Sequence, residues 1–185
     1  MAACAQHWNM VAGPKNQLAR SADMTANPAA NPAENASFTA AFSVDQTPEE
    51  VFHAINNVRG WWSEDIEGPT DRAGGEFTYR YQDAHRCRIK VAELIAGEKV
   101  TWRVLDNYFD FTQDKAEWKD TEIHFEIAAQ GGKTGVRFTH VGLVPGDECF
   151  DVCSNSWGFY LYTSLRALIR TGKGLPNRKE QAAPA

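Results

Sequence analysis

The stretch that decides the fold is SNSWGFYLYTSLRALIRTGKGLP, residues 154–176. Together with Cys149 and Cys153 upstream, the residues Trp157, Tyr160, Leu161, Ser164, Leu165 and Leu168 recur at three- and four-residue steps, the period of one helix face. Asp147 stands where a helix cap is wanted, and Gly172, Gly174 and Pro176 stop the helix at its other end. Roughly 25 residues at about 1.5 Å each span the width of a small domain. Such a helix, with aromatic rings along one face, needs a concave surface to pack on, and the preceding chain must supply it.

The preceding chain reads as that surface. Phe38, Ala40, Phe42 and Val44 alternate with Thr39, Ala41, Ser43 and Asp45 as in a half-buried strand. Thr47, Pro48 and Glu50 then predict a capping-box start to a short helix whose apolar side is Val51, Phe52 and Ile55. The stretch VRGWWSEDIEGPTDRAGG reads as a turn-rich connection with one helical turn around Trp61–Ser63. Five more strands follow, with inward faces Phe77/Tyr79/Tyr81, His85/Cys87/Ile89/Val91, Val100/Trp102/Val104, Ile123/Phe125/Ile127 and Val136/Phe138/His140. The links AGEK and AAQGGKTG predict hairpins, hence antiparallel neighbours. The fold class is α+β, a curved antiparallel sheet wrapped around the long C-terminal helix.

Composition bounds the rest. With 185 residues, 43% of them hydrophobic, the chain has material for one domain. Residues 1–37, rich in Ala, Asn and Pro, read as a disordered leader, 38–175 as the folded domain and 176–185 as a flexible tail. Met24 offers an alternative translation start. A net charge of -5 argues against a nucleic-acid partner. No membrane span is expected and the N-terminus lacks the pattern of a secretory signal, so a cytoplasmic location is expected. Cys4, Cys87, Cys149 and Cys153 form no disulfide framework.

The segments FSVDQTPEEVFHAINNVRGWW and WGFYLYTSLRALIRTGKGLP, in this order around the strands, resemble the START-like (SRPBCC) superfamily, in the branch similar to the activator of heat-shock-protein-90 ATPase. The resemblance covers about residues 38–175. It implies the helix-grip fold and a cavity between sheet and terminal helix that takes a small hydrophobic or amphipathic molecule. The inward set is mixed as a pocket lining would be. Tyr79, Tyr81, His85, Cys87, Trp102 and His140 from the strands join Trp157, Tyr160 and Ser164 from the helix, and Trp62, Phe125, Phe138 and Leu161 complete the expected cavity wall.

Other chemistry is weighed against this. His140 with Tyr79 or Tyr81 would supply acid and base to an aromatase- or cyclase-like enzyme, but no spacing specifies such a pair, and no catalytic residue is assigned. His85 and Cys87 lack a second pair of metal ligands at matching spacing, so no metal and no cofactor is expected. Cys149 and Cys153, a turn apart near a helix N-terminus, invite a lowered thiol pKa, though buried cysteines usually serve as small hydrophobes. Arg80, Arg86, Arg88, Lys90 and Arg103 share the outer face, where an acidic partner could dock. Phosphate loops, dinucleotide fingerprints and G-x-S-x-G elbows are missing from the sequence. The chain is read as a binding protein, monomer or homodimer; a co-chaperone role follows from the branch name alone, since the eukaryotic activators add an N-terminal domain.

Overall fold

The computed structural model describes residues 36–179. The expected leader and the alternative start at Met24 lie outside them, apart from Ala36 and Ser37. Strand β1 (Phe38–Val44) is followed by helix α1 (Pro48–Asn56), which starts on the capping box anticipated from sequence. The Thr47 hydroxyl accepts from the Glu50 N–H at 3.3 Å while the Glu50 carboxylate accepts from the Thr47 N–H at 2.8 Å. Val51 and Ile55 are fully buried and Phe52 half-buried, so the apolar side of α1 faces the interior. The helical turn expected around Trp61 lies earlier, at Val58–Gly60, because Val58 supplies the carbonyl to which both Trp61 and Trp62 donate.

Six more strands complete one sheet: β2 (Ile66–Glu67), β3 (Glu76–Tyr81), β4 (His85–Ile95), β5 (Lys99–Phe109), β6 (Glu122–Gln130) and β7 (Lys133–Val141). Every neighbouring pair is antiparallel, in the order β1-β7-β6-β5-β4-β3-β2. The two-residue β2 lies inside the segment read as a connection. The five inward faces assigned by alternation all face the interior, Tyr81 alone being half-buried. Beyond Val104 alternation misleads. Arg88 pairs with Asp106 and Ile89 with Val104, so Leu105 is an extra residue in β5, and this bulge reverses parity and turns Asn107 and Phe109 inward.

The terminal helix runs without a break as α2 (Phe150–Phe159), a π-helical stretch (Tyr160–Leu165) and α3 (Arg166–Thr171). Its expected face is buried throughout, from Cys149 to Leu168. In the π stretch the Arg166 N–H donates to the Leu161 carbonyl, five residues back. Asp147 does not cap the start: its carboxylate accepts from the Val144 N–H at 2.8 Å. The cap comes from Glu117, whose carboxylate accepts from the N–H groups of Glu148 (2.7 Å) and Cys149 (2.9 Å), a partner 31 or more residues away that local sequence does not reveal. Gly172, at φ 74°, closes the C-terminus by donating to the Leu168 carbonyl. The chain then turns back tightly, for a Cβ on Gly174 would stand 2.2 Å from the Gly60 carbonyl.

Between helix and sheet lies an aromatic core. Trp62 stacks on Tyr79 with centroids 4.3 Å apart and lies nearly parallel to Trp102 at 6.2 Å; Trp157 touches Trp62 at 5.1 Å and stacks on Trp118 at 5.8 Å. Each such ring contributes about 1.5–3 kcal/mol or more by burial. Among the described residues no helix is long and apolar enough to cross a membrane.

Candidate functional site

Among the described residues the interior between sheet and terminal helix is closely packed with aromatic rings. Within it lies a crevice of about 10 Å³, lined by Trp62, Tyr79, His85, Trp118, Cys153, Ser156, Trp157 and Tyr160. That is room for about one water, against roughly 300–1,000 Å³ for ordinary ligand pockets. Of the expected wall residues, Trp62, Tyr79, His85, Trp157 and Tyr160 line this crevice. Trp102, Phe125, Phe138, His140, Leu161 and Ser164 are not part of it; all are fully buried in the packed core. Tyr81 and Cys87 line a groove of about 1020 Å³ that also takes in Thr78, Arg80, Arg86 and Arg88. The large aromatic side chains meet edge to face and stack, and so occupy the space that alternation alone left open.

Sequence reasoning overlooked Trp118. It lies in the loop before β6, where no periodicity marks it, yet it is 4% exposed and packs edge-on against His85 (4.8 Å) and His140 (4.6 Å). The one signal was a large apolar ring in an otherwise charged stretch, KAEWKD. Ser156, also at the crevice, gives no signal beyond its helix position.

His140 is locked by hydrogen bonds. Its Nδ1 accepts from the Trp157 indole N–H at 3.1 Å, so the ring proton sits on Nε2 and is donated to the Thr121 hydroxyl at 2.9 Å. That hydroxyl donates onward to the Trp118 carbonyl at 2.6 Å. Both ring nitrogens are engaged in holding helix, sheet and loop together, which removes the spare lone pair a general base needs. Burial lowers the pKa of His140 to about 3; burial and then the neighbouring His140 lower that of His85 to about 3 as well. Both rings are neutral at neutral pH. Burial also pushes the Tyr79 hydroxyl well above its usual range.

At the crevice end nearest the chain terminus, the Asn177 amide donates to the Tyr160 hydroxyl at 2.6 Å and reaches the Tyr79 hydroxyl at 3.5 Å. Asn177 lies within the stretch expected as a flexible tail, 176–185, of which the structure describes residues 176–179. Ser164, expected in the cavity, serves this tether too: its hydroxyl donates to the Trp61 carbonyl (2.6 Å) and accepts from the Leu175 N–H (2.7 Å).

The remaining candidates resolve into structural roles. Cys149 and Cys153 are buried, and desolvation, followed by a hydrogen bond the Cys153 thiol donates to Cys149, raises the Cys153 pKa well above its usual range, opposite to the expected dipole effect. Burial likewise raises the Cys87 thiol. Among the described residues no three His, Cys, Asp or Glu side chains gather as a metal site would require. On the outer face the basic stripe is largely matched by carboxylates: Arg80 with Asp83 (2.8 Å), Arg88 with Glu76 (3.1 Å) and Arg103 with Asp120 (3.0 Å), while Arg86 lies over the Tyr108 ring at 4.6 Å.

Known proteins share this architecture. The solution structure of the Aha1 dimer from Colwellia psychrerythraea is 25% identical over 75% of this chain and 99% of that one, with a TM-score of 0.61. The protein MLL2253 from Mesorhizobium loti is 12% identical over 75% of this chain and 100% of its own, with a TM-score of 0.57. DynU16, a putative protein in the dynemicin biosynthetic locus, is 16% identical over 74% of this chain and 48% of its own, with a TM-score of 0.55. The latter two share the fold. No curated protein matches the chain in sequence. Residues 45–170, which hold six of the seven strands, the aromatic crevice and nearly all of the terminal helix, match the sequence profile of the Activator of Hsp90 ATPase homolog 1-like proteins, and the chain belongs to that family.

Proposed function

We propose that this chain is a cytoplasmic, non-enzymatic protein that binds a small hydrophobic or amphipathic molecule at the crevice between sheet and terminal helix. The observation that carries the reading is the make-up of that crevice. Five aromatic residues, Trp62, Tyr79, Trp118, Trp157 and Tyr160, converge with two phenolic hydroxyls under the point where the helix leaves α-geometry. Rings supply stacking faces for a flat apolar body, and the hydroxyls supply a few directional bonds, the usual division of labour in a ligand site. π-helical turns recur at functional sites because the extra residue in the turn is a standing cost that packing alone seldom explains. Binding at this crevice requires its walls to part.

Native mass spectra of protein purified gently from its own host test the reading, with spectra after denaturation as the reference. An added mass lost on denaturation is expected. A bare polypeptide, combined with no rise in melting temperature across lipids and aromatic compounds, would overturn it; a ligand at about 100 times its Kd stabilises by about 2.7 kcal/mol and is easily seen.

Family membership favours a second reading, contact with a chaperone ATPase, supported by the likeness to the Colwellia Aha1 dimer. Stimulation of a chaperone ATPase by this protein, absent with heat-denatured protein, would establish it. No stimulation at saturating concentrations would discard it.

A further inference from the structure

Resting on the ligand reading above, we propose that residues 173–179 form a strap that gates the aromatic crevice, with Asn177 as its latch. The strap is anchored at Leu175, whose N–H donates to the Ser164 hydroxyl (2.7 Å), at Asn177 and at Lys179. The Asn177 backbone bridges Ser63 in parallel, donating to the Trp62 carbonyl (3.0 Å) and accepting from the Glu64 N–H (2.8 Å). Its side chain is the bond to Tyr160 and Tyr79, the two phenols of the crevice wall. Lys179 pins the far end through exposed ion pairs with Asp65 (3.1 Å) and Glu67 (3.4 Å), which contribute little in water.

The strap meets the crevice through the Tyr160 and Tyr79 hydroxyls and has little burial behind it. Lys173, Leu175, Arg178 and Lys179 are exposed, and Asn177 alone is buried, at 4%. The opposite wall is held by Trp157 against His140 and by the Glu117 cap. Segments with few apolar contacts and hydrogen bonds near solvent open at the lowest free energy, so the strap parts first. Release of Asn177 removes its bonds to the two phenolic hydroxyls of the crevice wall. The group that takes the place of the amide is a ligand's own hydrogen-bonding head, which assigns an amphipathic molecule with its polar end toward Asn177 and its flat apolar part toward Trp118.

Cys153 lines the crevice while Cys149, one turn away, does not, and this separates gating from unfolding without any ligand. The full-length protein is treated with N-ethylmaleimide and labelling at each cysteine is followed by peptide mass spectrometry. Asn177→Ala is expected to label Cys153 about tenfold faster, the equivalent of one lost hydrogen bond on the opening equilibrium, with Cys149 unchanged. Lys179→Glu, a surface change that leaves the core intact, is expected to do the same about threefold. Unchanged Cys153 labelling in both variants, or equal acceleration at Cys149 and Cys153, overturns the gate. Binding of 1-anilinonaphthalene-8-sulfonate is measured in parallel. Selective Cys153 labelling supports the gate whatever the dye does, and the ligand reading stands or falls separately on the native mass spectra.

Discussion

The corner around His140 and the corner around Asn177 lie at opposite sides of the same aromatic core, and both are built from hydrogen bonds between an aromatic residue of the terminal helix and a polar side chain. They differ in what stands behind the bonds. His140 is wholly buried, bonded to Trp157 and Thr121, and flanked by the rings of Trp118 and Trp157. Asn177 is buried at the tip of a strap whose other side chains lie in water. Identical chemistry thus makes a clamp in one place and a closure in the other, because the free energy of opening is set by the apolar burial that must be given up along with the bond.

The comparison breaks most severely in acid. His85 and His140 have folded-state pKa values of about 3, below the unfolded value near 6.5, so between those limits the unfolded chain binds more protons. Stability is therefore full above about pH 6.5 and falls as pH drops toward 3. By pH 4.5, two units down, each histidine accounts for about 2.7 kcal/mol, and urea midpoints at pH 7 and 4.5 measure the sum. A midpoint that does not move would show that the rings are charged when folded.

Next in size is His140→Ala, which opens a hole under Trp157 and orphans its indole N–H, while the Thr121 hydroxyl keeps its bond to the Trp118 carbonyl. A loss of about 3–4 kcal/mol is expected in urea unfolding, with Cys149 and Cys153 becoming labelled together. That parallel labelling sharpens the contrast with Asn177→Ala, which should lower stability by only about 1 kcal/mol. Glu117→Ala is expected to cost about 1–2 kcal/mol, since it removes the carboxylate that caps the terminal helix; thermal unfolding in parallel with an Asp147→Ala control should show the larger drop for Glu117. Smallest is Arg86→Glu on the outer face, whose effect on stability should stay within about 0.5 kcal/mol. A larger loss would mean that the Arg86–Tyr108 stack holds the sheet.

Much of the fold was legible from residue order. Alternation found six of the seven strands and their inner faces, Thr47 and Glu50 marked the start of α1, and three- and four-residue steps marked the buried side of the terminal helix. The candidate site was legible only in part. Five of its wall residues could be named from face and resemblance. Trp118 and the Asn177 latch could not, because each sits in a segment without period and acquires its role from a partner far along the chain.

What the sequence by itself determined is whatever repeats within a few residues: which side of each strand and helix is apolar, where helices start and stop, and hence the α+β class. Tertiary structure decided the rest. It decided that the wall residues pack against one another around a crevice with room for little more than a water, that the bulge at Leu105 turns Asn107 and Phe109 inward, that Glu117 and not Asp147 caps the terminal helix, and that both ring nitrogens of His140 are bonded, to Trp157 and Thr121. The physical reason is range. Backbone geometry imposes its periods locally, whereas the volume left between two faces, and the partner each buried polar atom finds, depend on side chains that meet only once the sheet has closed on the helix.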